Sequence, residues 1–172
     1  LGGIKIPALI IAGEEIDIVL WKLLRNIAEQ TSNTIIAAYG PTESTVLASY
    51  CNVLAENEPA LGMPLRNTGY AVVDRYDRLL PNSATGELVL FGNALARCYF
   101  KNNKLTRERF PYCRRLNQRI YKTGDIVTVY NGKILYVGRN EYQIKWRGHR
   151  IESSEIKIAV LAHEGIIDAY IR

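Results

Sequence analysis

Tyr39, Thr42 and Glu43 bring three kinds of nucleotide chemistry within five residues of one another. An aromatic ring can stack on a flat base, a hydroxyl can hydrogen-bond a phosphate oxygen, and a carboxylate can hold a hard cation such as Mg²⁺. They sit in Ala38-Tyr39-Gly40-Pro41-Thr42-Glu43-Ser44, just after the apolar run Ile35-Ile36-Ala37-Ala38. That run reads as a buried strand, and Gly40-Pro41 breaks it, since proline lacks an amide donor and glycine admits backbone angles other residues avoid. Taken alone, the stretch also fits a strand-ending turn with a surface glutamate. Motifs further along the chain weigh against that reading.

Three of them follow in order: Gly86-Glu87-Leu88-Val89-Leu90 running to Leu95-Ala96-Arg97, then Tyr121-Lys122-Thr123-Gly124-Asp125, then Gly138-Arg139 leading to Gln143-Ile144-Lys145-Trp146-Arg147-Gly148-His149-Arg150-Ile151-Glu152. With the opening stretch, this set resembles the adenylate-forming enzymes. The resemblance is strongest to the amino-acid adenylation domains of nonribosomal peptide synthetases and the related D-alanine–carrier-protein ligases, and it runs from Ile10 to about Ile156.

The resemblance implies a reaction that joins a carboxylate to the α-phosphate of ATP and expels pyrophosphate. Such chemistry asks the protein to align anions and offset their charge. By resemblance, Tyr39 stacks on adenine while the backbone around Gly13 and Ala38 walls the base, and Gly40 counts with them as nucleotide-binding. Thr42 touches the α-phosphate and Glu43 holds Mg²⁺, with Lys145 counted beside them as catalytic. Asp125 accepts from both ribose hydroxyls, a task that suits a two-oxygen carboxylate. Arg139 and Tyr136 lie on the ribose-phosphate side. The substrate pocket carries over to Ile10, Ala12, Ala38, Val46 and Leu47, all apolar, which implies a small or aliphatic amino acid. Glu141 takes the place of the hinge about which a small C-terminal domain rotates. The plainer alternatives are a turn acceptor for Asp125, a surface charge for Arg139 and core packing for Tyr136 and the pocket residues.

Several positions depart from the family pattern. Ala37 stands where an asparagine often helps read adenine, Ala94 and Cys98 replace glycines, Glu141 replaces aspartate or lysine, and Lys157 replaces glutamate. The family's Ser/Thr/Gly-rich phosphate loop and its C-terminal lysine have no counterpart within the 172 residues. The chain therefore reads as a fragment, expected to be inactive in pyrophosphate exchange by itself.

The elements that must position these residues are legible in outline. Pro7–Gly13 reads as a buried strand and Glu14–Gln30 as an amphipathic helix, with Ile16, Leu20, Leu23, Leu24 and Ile27 at helical spacing. With the Thr34–Ala38 strand they make a βαβ-like unit. Short strands follow at Tyr70–Val73, Gly86–Phe91, Ile126–Tyr130 and Lys133–Val137, the last two joined by Asn131-Gly132, a hairpin signal. Lys101–Arg119 reads as a basic surface excursion with one helical turn at Thr106–Phe110. A second hairpin is expected across Gln143–Lys145 and Arg150–Glu152, then a helix over Glu155–His163 capped by Ser153, then a strand at Ala169–Ile171. The fold class is α+β mixed: residues 1–55 belong to an α/β layer, 56–140 form a β-rich, barrel-like subdomain, and 141–172 begin a small C-terminal domain after the hinge.

Composition narrows the function classes. The longest apolar run, near Ala8–Ala12, is far too short to cross a bilayer. Three cysteines without metal-ligand spacing point to reduced thiols and a cytoplasmic setting. The formal charge of +5 is scattered through loops rather than gathered beside aromatics, which argues against nucleic acid as the partner. The expected whole is an enzyme that uses ATP and Mg²⁺ to form an aminoacyl-AMP and passes the acyl group to a carrier protein's phosphopantetheine thiol. The alternatives are a noncatalytic nucleotide-binding or scaffold module of the same descent, an acyl-CoA ligase, and, more remotely, a nucleic-acid binder with steep salt dependence.

Overall fold

The computed structural model describes residues 7–139, 143–146 and 149–169. Its contacts divide the chain after Gly138 into two units. The first opens with strand β1 (Ala8–Ile11), helix α1 (Ile18–Thr31) and strand β2 (Thr34–Tyr39). β1 and β2 pair in parallel, Ile10 opposite Ile36, so the expected βαβ unit forms. Strands β3 (Ser49–Asn52) and β4 (Met63–Pro64) extend this sheet antiparallel, in the order β1-β2-β3-β4.

Two details differ from the sequence expectation. β1 is largely exposed rather than buried, because among the described residues it has a neighbour on one side only and only Ile11 packs toward α1. In α1 the buried positions are Trp21, Leu24 and Ala28, whereas Leu20, Leu23 and Ile27 face outward. Polar bonds choose the face. The Trp21 indole donates to the Glu56 carbonyl, and Arg25 donates to the carbonyls of Val53 and Glu56 at 2.9 and 2.5 Å. Ile35, Ala37 and Cys51 complete this core from the sheet. Ala37, where the family often has an asparagine, thus packs toward the helix. The helix begins later than its periodicity suggests because Asp17 caps it, its carboxylate accepting from the Leu20 amide at 2.7 Å. Asp17→Ala should lower the free energy of unfolding by about 1 kcal/mol in urea denaturation, and an unchanged midpoint would discount the cap.

The second sheet of this unit is five-stranded: β5 (Thr68–Val73), β6 (Thr85–Gly92), β7 (Tyr112–Cys113), β8 (Gln118–Tyr130) and β9 (Lys133–Arg139, its last residue in the second unit). The order is β5-β6-β8-β7, with β9 also on β8. It curls into a half-barrel, the β-rich form expected. Alternation along the strands sends Val72, Leu88, Leu90 and Tyr121 into one core and Val73, Val89 and Ile120 into another. The Asn131-Gly132 turn takes positive φ at both residues (51° and 75°), the hairpin geometry that its sequence predicts. β8 is longer than expected, because it pairs with β6 through Ile120–Lys122 as well as from Ile126 onward, on either side of an irregularity. Helix α2 (Asn103–Arg109) replaces the single turn expected at Thr106–Phe110.

In the second unit, β10 (Gln143–Trp146) and β11 (His149–Glu152) form the expected antiparallel hairpin, Lys145 opposite Arg150. Helix α3 (Ser153–Leu161) follows, with Lys157 paired to Asp168 at 2.8 Å. Ala169 is not in a strand, and the remainder of the strand expected at Ala169–Ile171 lies outside the described residues.

Candidate active site

β2 delivers Tyr39 to its end, and the chain then folds back on itself. Pro41 leads into one turn of 3₁₀ helix, Thr42–Ser44, and Thr45 and Val46 both adopt left-handed φ (59° and 73°). The loop closes where the Ala48 amide donates to the Tyr39 carbonyl at 2.7 Å. Thr42 is left exposed, while Glu43 and Ser44 turn inward, Glu43 only 7% exposed. Segment 93–97, after β6, holds this loop from the outside. The Ala96 amide donates to the Glu43 carbonyl at 2.8 Å, and the Thr45 hydroxyl donates to the Ala94 carbonyl at 2.7 Å. Two motifs separated by about fifty residues therefore share one hydrogen-bonded platform.

Asp125 is aimed by a β-bulge. Lys122 pairs with Val89 and Ile126 with Glu87, so Thr123, Gly124 and Asp125 stand against Leu88 alone. Gly124 makes the bend at φ +75°, where a side chain would be strained. The groups freed by the bulge are satisfied locally. The Thr123 hydroxyl donates to the Leu88 carbonyl at 2.7 Å and accepts from the Asp125 amide at 3.0 Å. The Gly124 amide donates to the Glu87 carboxylate at 2.9 Å. The bulge carries the buried Asp125 carboxylate to the Tyr39 hydroxyl, which donates to Oδ2 at 2.5 Å across 86 residues of sequence.

Glu87 itself is a buried carboxylate. Desolvation pushes its pKa up, against the opposing pull of the Gly124 amide, Lys122 and Arg109. A carboxyl raised in the folded state contributes stability that is complete below its ordinary value of 4.5 and is lost as pH rises through the folded value. Glu87→Gln keeps an acceptor for Gly124 and removes that titration. The variant should flatten the decline in melting temperature just above pH 4.5, and an unchanged profile would rule Glu87 out as its source.

The remaining predicted residues are less closely gathered. Ile10 and Ala38 lie on the face of the first sheet opposite α1, by register with Ile36, and Ala12 follows β1. Ile10 is 63% and Val46 67% exposed, and Leu47 is half-buried in the loop. Gly13 bends at φ +103° with open space where a Cβ would stand, and Gly40 presses against the returning loop. Tyr136 is half-buried on β9. Arg139 and Lys145 belong to the second unit, and Glu141 lies outside the described residues. The surface cleft beside Arg78, Tyr112 and Arg114 involves none of these residues. Sequence reasoning missed Glu87, Thr123 and Tyr99 as supports of this site. Their roles are bonds to distant groups, which leave no periodic signal.

The profile of the family described as AMP-binding enzyme matches residues 2–100. The chain belongs to the AMP-binding enzyme family. Within that family it is similar to nonribosomal peptide synthetases. Tyrocidine synthase 2 of Brevibacillus parabrevis is 38% identical over 173 residues, covering 96% of this chain and 5% of that protein. Among solved structures, the Vibrio cholerae adenylation domain AlmE in complex with glycyl-adenosine-5′-phosphate superposes with a TM-score of 0.76 at 27% identity, over 87% of this chain and 29% of that one. A nonribosomal peptide synthetase protein containing adenylation and PCP domains gives 0.80 at 26% identity, over 94% of this chain and 34% of its own. The chain thus spans about a third or less of these relatives. Among the described residues no helix is long and apolar enough to cross a membrane.

Proposed function

We propose that this chain is part of an ATP-dependent amino-acid adenylation enzyme, one that forms an aminoacyl-AMP and transfers the acyl group to the phosphopantetheine thiol of a carrier protein. What carries the reading is the Tyr39–Asp125 hydrogen bond, which links the side chain suited to adenine with the side chain suited to ribose. The glycyl-adenylate in AlmE and the PCP domain in the second structure support substrate and partner classes. Tyr39 would stack on the base, Asp125 would accept from the ribose hydroxyls, and Thr42, exposed at the loop tip, would donate to the α-phosphate. Ile10, Ala12, Ala38, Val46 and Leu47 would line an apolar pocket for the amino-acid side chain. Lys145 would act from the second unit, with Glu141 as hinge.

Among the described residues no cluster of three metal-ligating side chains occurs. One buried carboxylate is nevertheless what Mg²⁺ needs when substrate phosphates and water complete its shell, so Glu43 fits. Bound there, Mg²⁺ would neutralise charge on the phosphates.

ATP–pyrophosphate exchange by the whole protein, run across a panel of amino acids, tests the proposal. Exchange stimulated by a small or aliphatic amino acid, followed by thioester formation on the carrier, is expected. ATP binding without any exchange would favour the noncatalytic alternative, and thioester formation on coenzyme A would favour an acyl-CoA ligase.

A further inference from the structure

Tyr99 stands in the loop after β6, in Arg97-Cys98-Tyr99-Phe100, where nothing in the spacing marks it. Its hydroxyl donates to Glu43 Oε1 at 2.6 Å across 56 residues of sequence. Tyr121, whose ring lies on the other side of Phe110, is fully buried. The Tyr99 ring packs at 5.5 Å from Phe110, which in turn lies 5.0 Å from the Tyr121 ring. Backbone bonds hold the segment that carries Tyr99. Arg119 donates to the carbonyls of Ala96 and Arg97 at 2.7 and 2.6 Å, its guanidinium 4.4 Å over Phe110. The Tyr99 amide is bonded to the Thr106 hydroxyl at 3.0 Å.

Fixing this ring has one chemical consequence at the site. A carboxylate near the start of a loop can rotate about its terminal torsion, and a metal ligand that rotates binds less well than one held in place. A donor at Oε1 fixes that rotation while leaving the negative charge on the group.

We propose that Tyr99 is a positioning residue for the adenylation site: its hydroxyl sets the orientation in which the Glu43 carboxylate would receive the divalent cation carried by ATP. The inference rests on the adenylation reading above. Its test separates the two. Mn²⁺ with ATP is titrated into the whole protein, and the enhancement of water-proton relaxation reports the ternary complex. Tyr99→Phe keeps the ring and removes the donor, so half-saturation by Mn²⁺ should rise about tenfold, the scale of losses from residues behind a metal ligand. The Mg²⁺ concentration for half-maximal pyrophosphate exchange should rise in parallel, and excess Mg²⁺ should restore most of the rate. Val73→Ala opens a cavity in the separate core of Val73, Val89 and Ile120, so it should lower the melting temperature and leave the Mn²⁺ titration unmoved. Tyr99→Phe with wild-type Mn²⁺ and Mg²⁺ dependence would overturn the inference and spare the adenylation reading. A wild-type protein that forms no Mn²⁺–ATP complex and catalyses no exchange would overturn both.

Discussion

Asp125→Ala in the whole protein should lose about 2–4 kcal/mol of ATP affinity, if each of two hydrogen bonds to the carboxylate contributes roughly 1.5–2. On the usual scale of about 1.4 kcal/mol per decade, that is a rise of about 30- to 1,000-fold in the dissociation constant. The structure sharpens the expectation. Asp125 is 4% exposed and anchors the Tyr39 hydroxyl, so its removal also frees the ring proposed to hold adenine. Tyr39→Phe isolates that second part, because it keeps the stacking surface and removes only the donor. The phenylalanine variant should weaken ATP by less than about tenfold, in line with the roughly 1 kcal/mol of an ordinary hydrogen bond. Calorimetry on the two variants decides the matter. An Asp125→Ala affinity within about threefold of wild type would leave the carboxylate a structural acceptor for Tyr39 and nothing more.

Gly40→Ala should reduce pyrophosphate exchange by about a hundredfold or more. A Cβ at this position would stand 2.5 Å from the Val46 carbonyl oxygen and 2.6 Å from both the Ala48 nitrogen and Leu47 Cα. Those are backbone atoms of the returning arm, so no rotamer change relieves the clash. The arm must move, and the closing bond from Ala48 to Tyr39 with it. Thr42 and Glu43 lie inside the loop so displaced, and a displacement of about 1 Å at a reacting group can cost about a hundredfold in rate. Stability should fall more modestly, by about 1–3 kcal/mol, as for overpacking elsewhere. A protein that still unfolds cooperatively but has lost exchange is the expected result. Exchange within a few-fold of wild type would mean that the loop's position is immaterial to the chemistry.

The chain's local chemistry was readable residue by residue. Gly40-Pro41 ends β2, and Asn131-Gly132 turns the β8–β9 hairpin. Each depends on φ, which a single residue type restricts by its own sterics, so one sequence suffices to find it. Order along the chain supplied the family, since four motifs in one sequence identify relatives without reference to shape. Tertiary structure decided which surfaces meet. The period of α1 pointed to Leu20, Leu23, Leu24 and Ile27, of which the structure buries Leu24, with Trp21 and Ala28 beside it; the Val53 and Glu56 carbonyls, which arrive about thirty residues later, meet Arg25 and the Trp21 indole on that face. The bulge at Thr123–Asp125 likewise exists only because β6 offers one residue against three. Tyr99 reaches Glu43 only because the segment after β6 is tied down by Arg119. Hydrogen bonds between residues this far apart are set by the packing of whole elements, and neither composition nor periodicity records them.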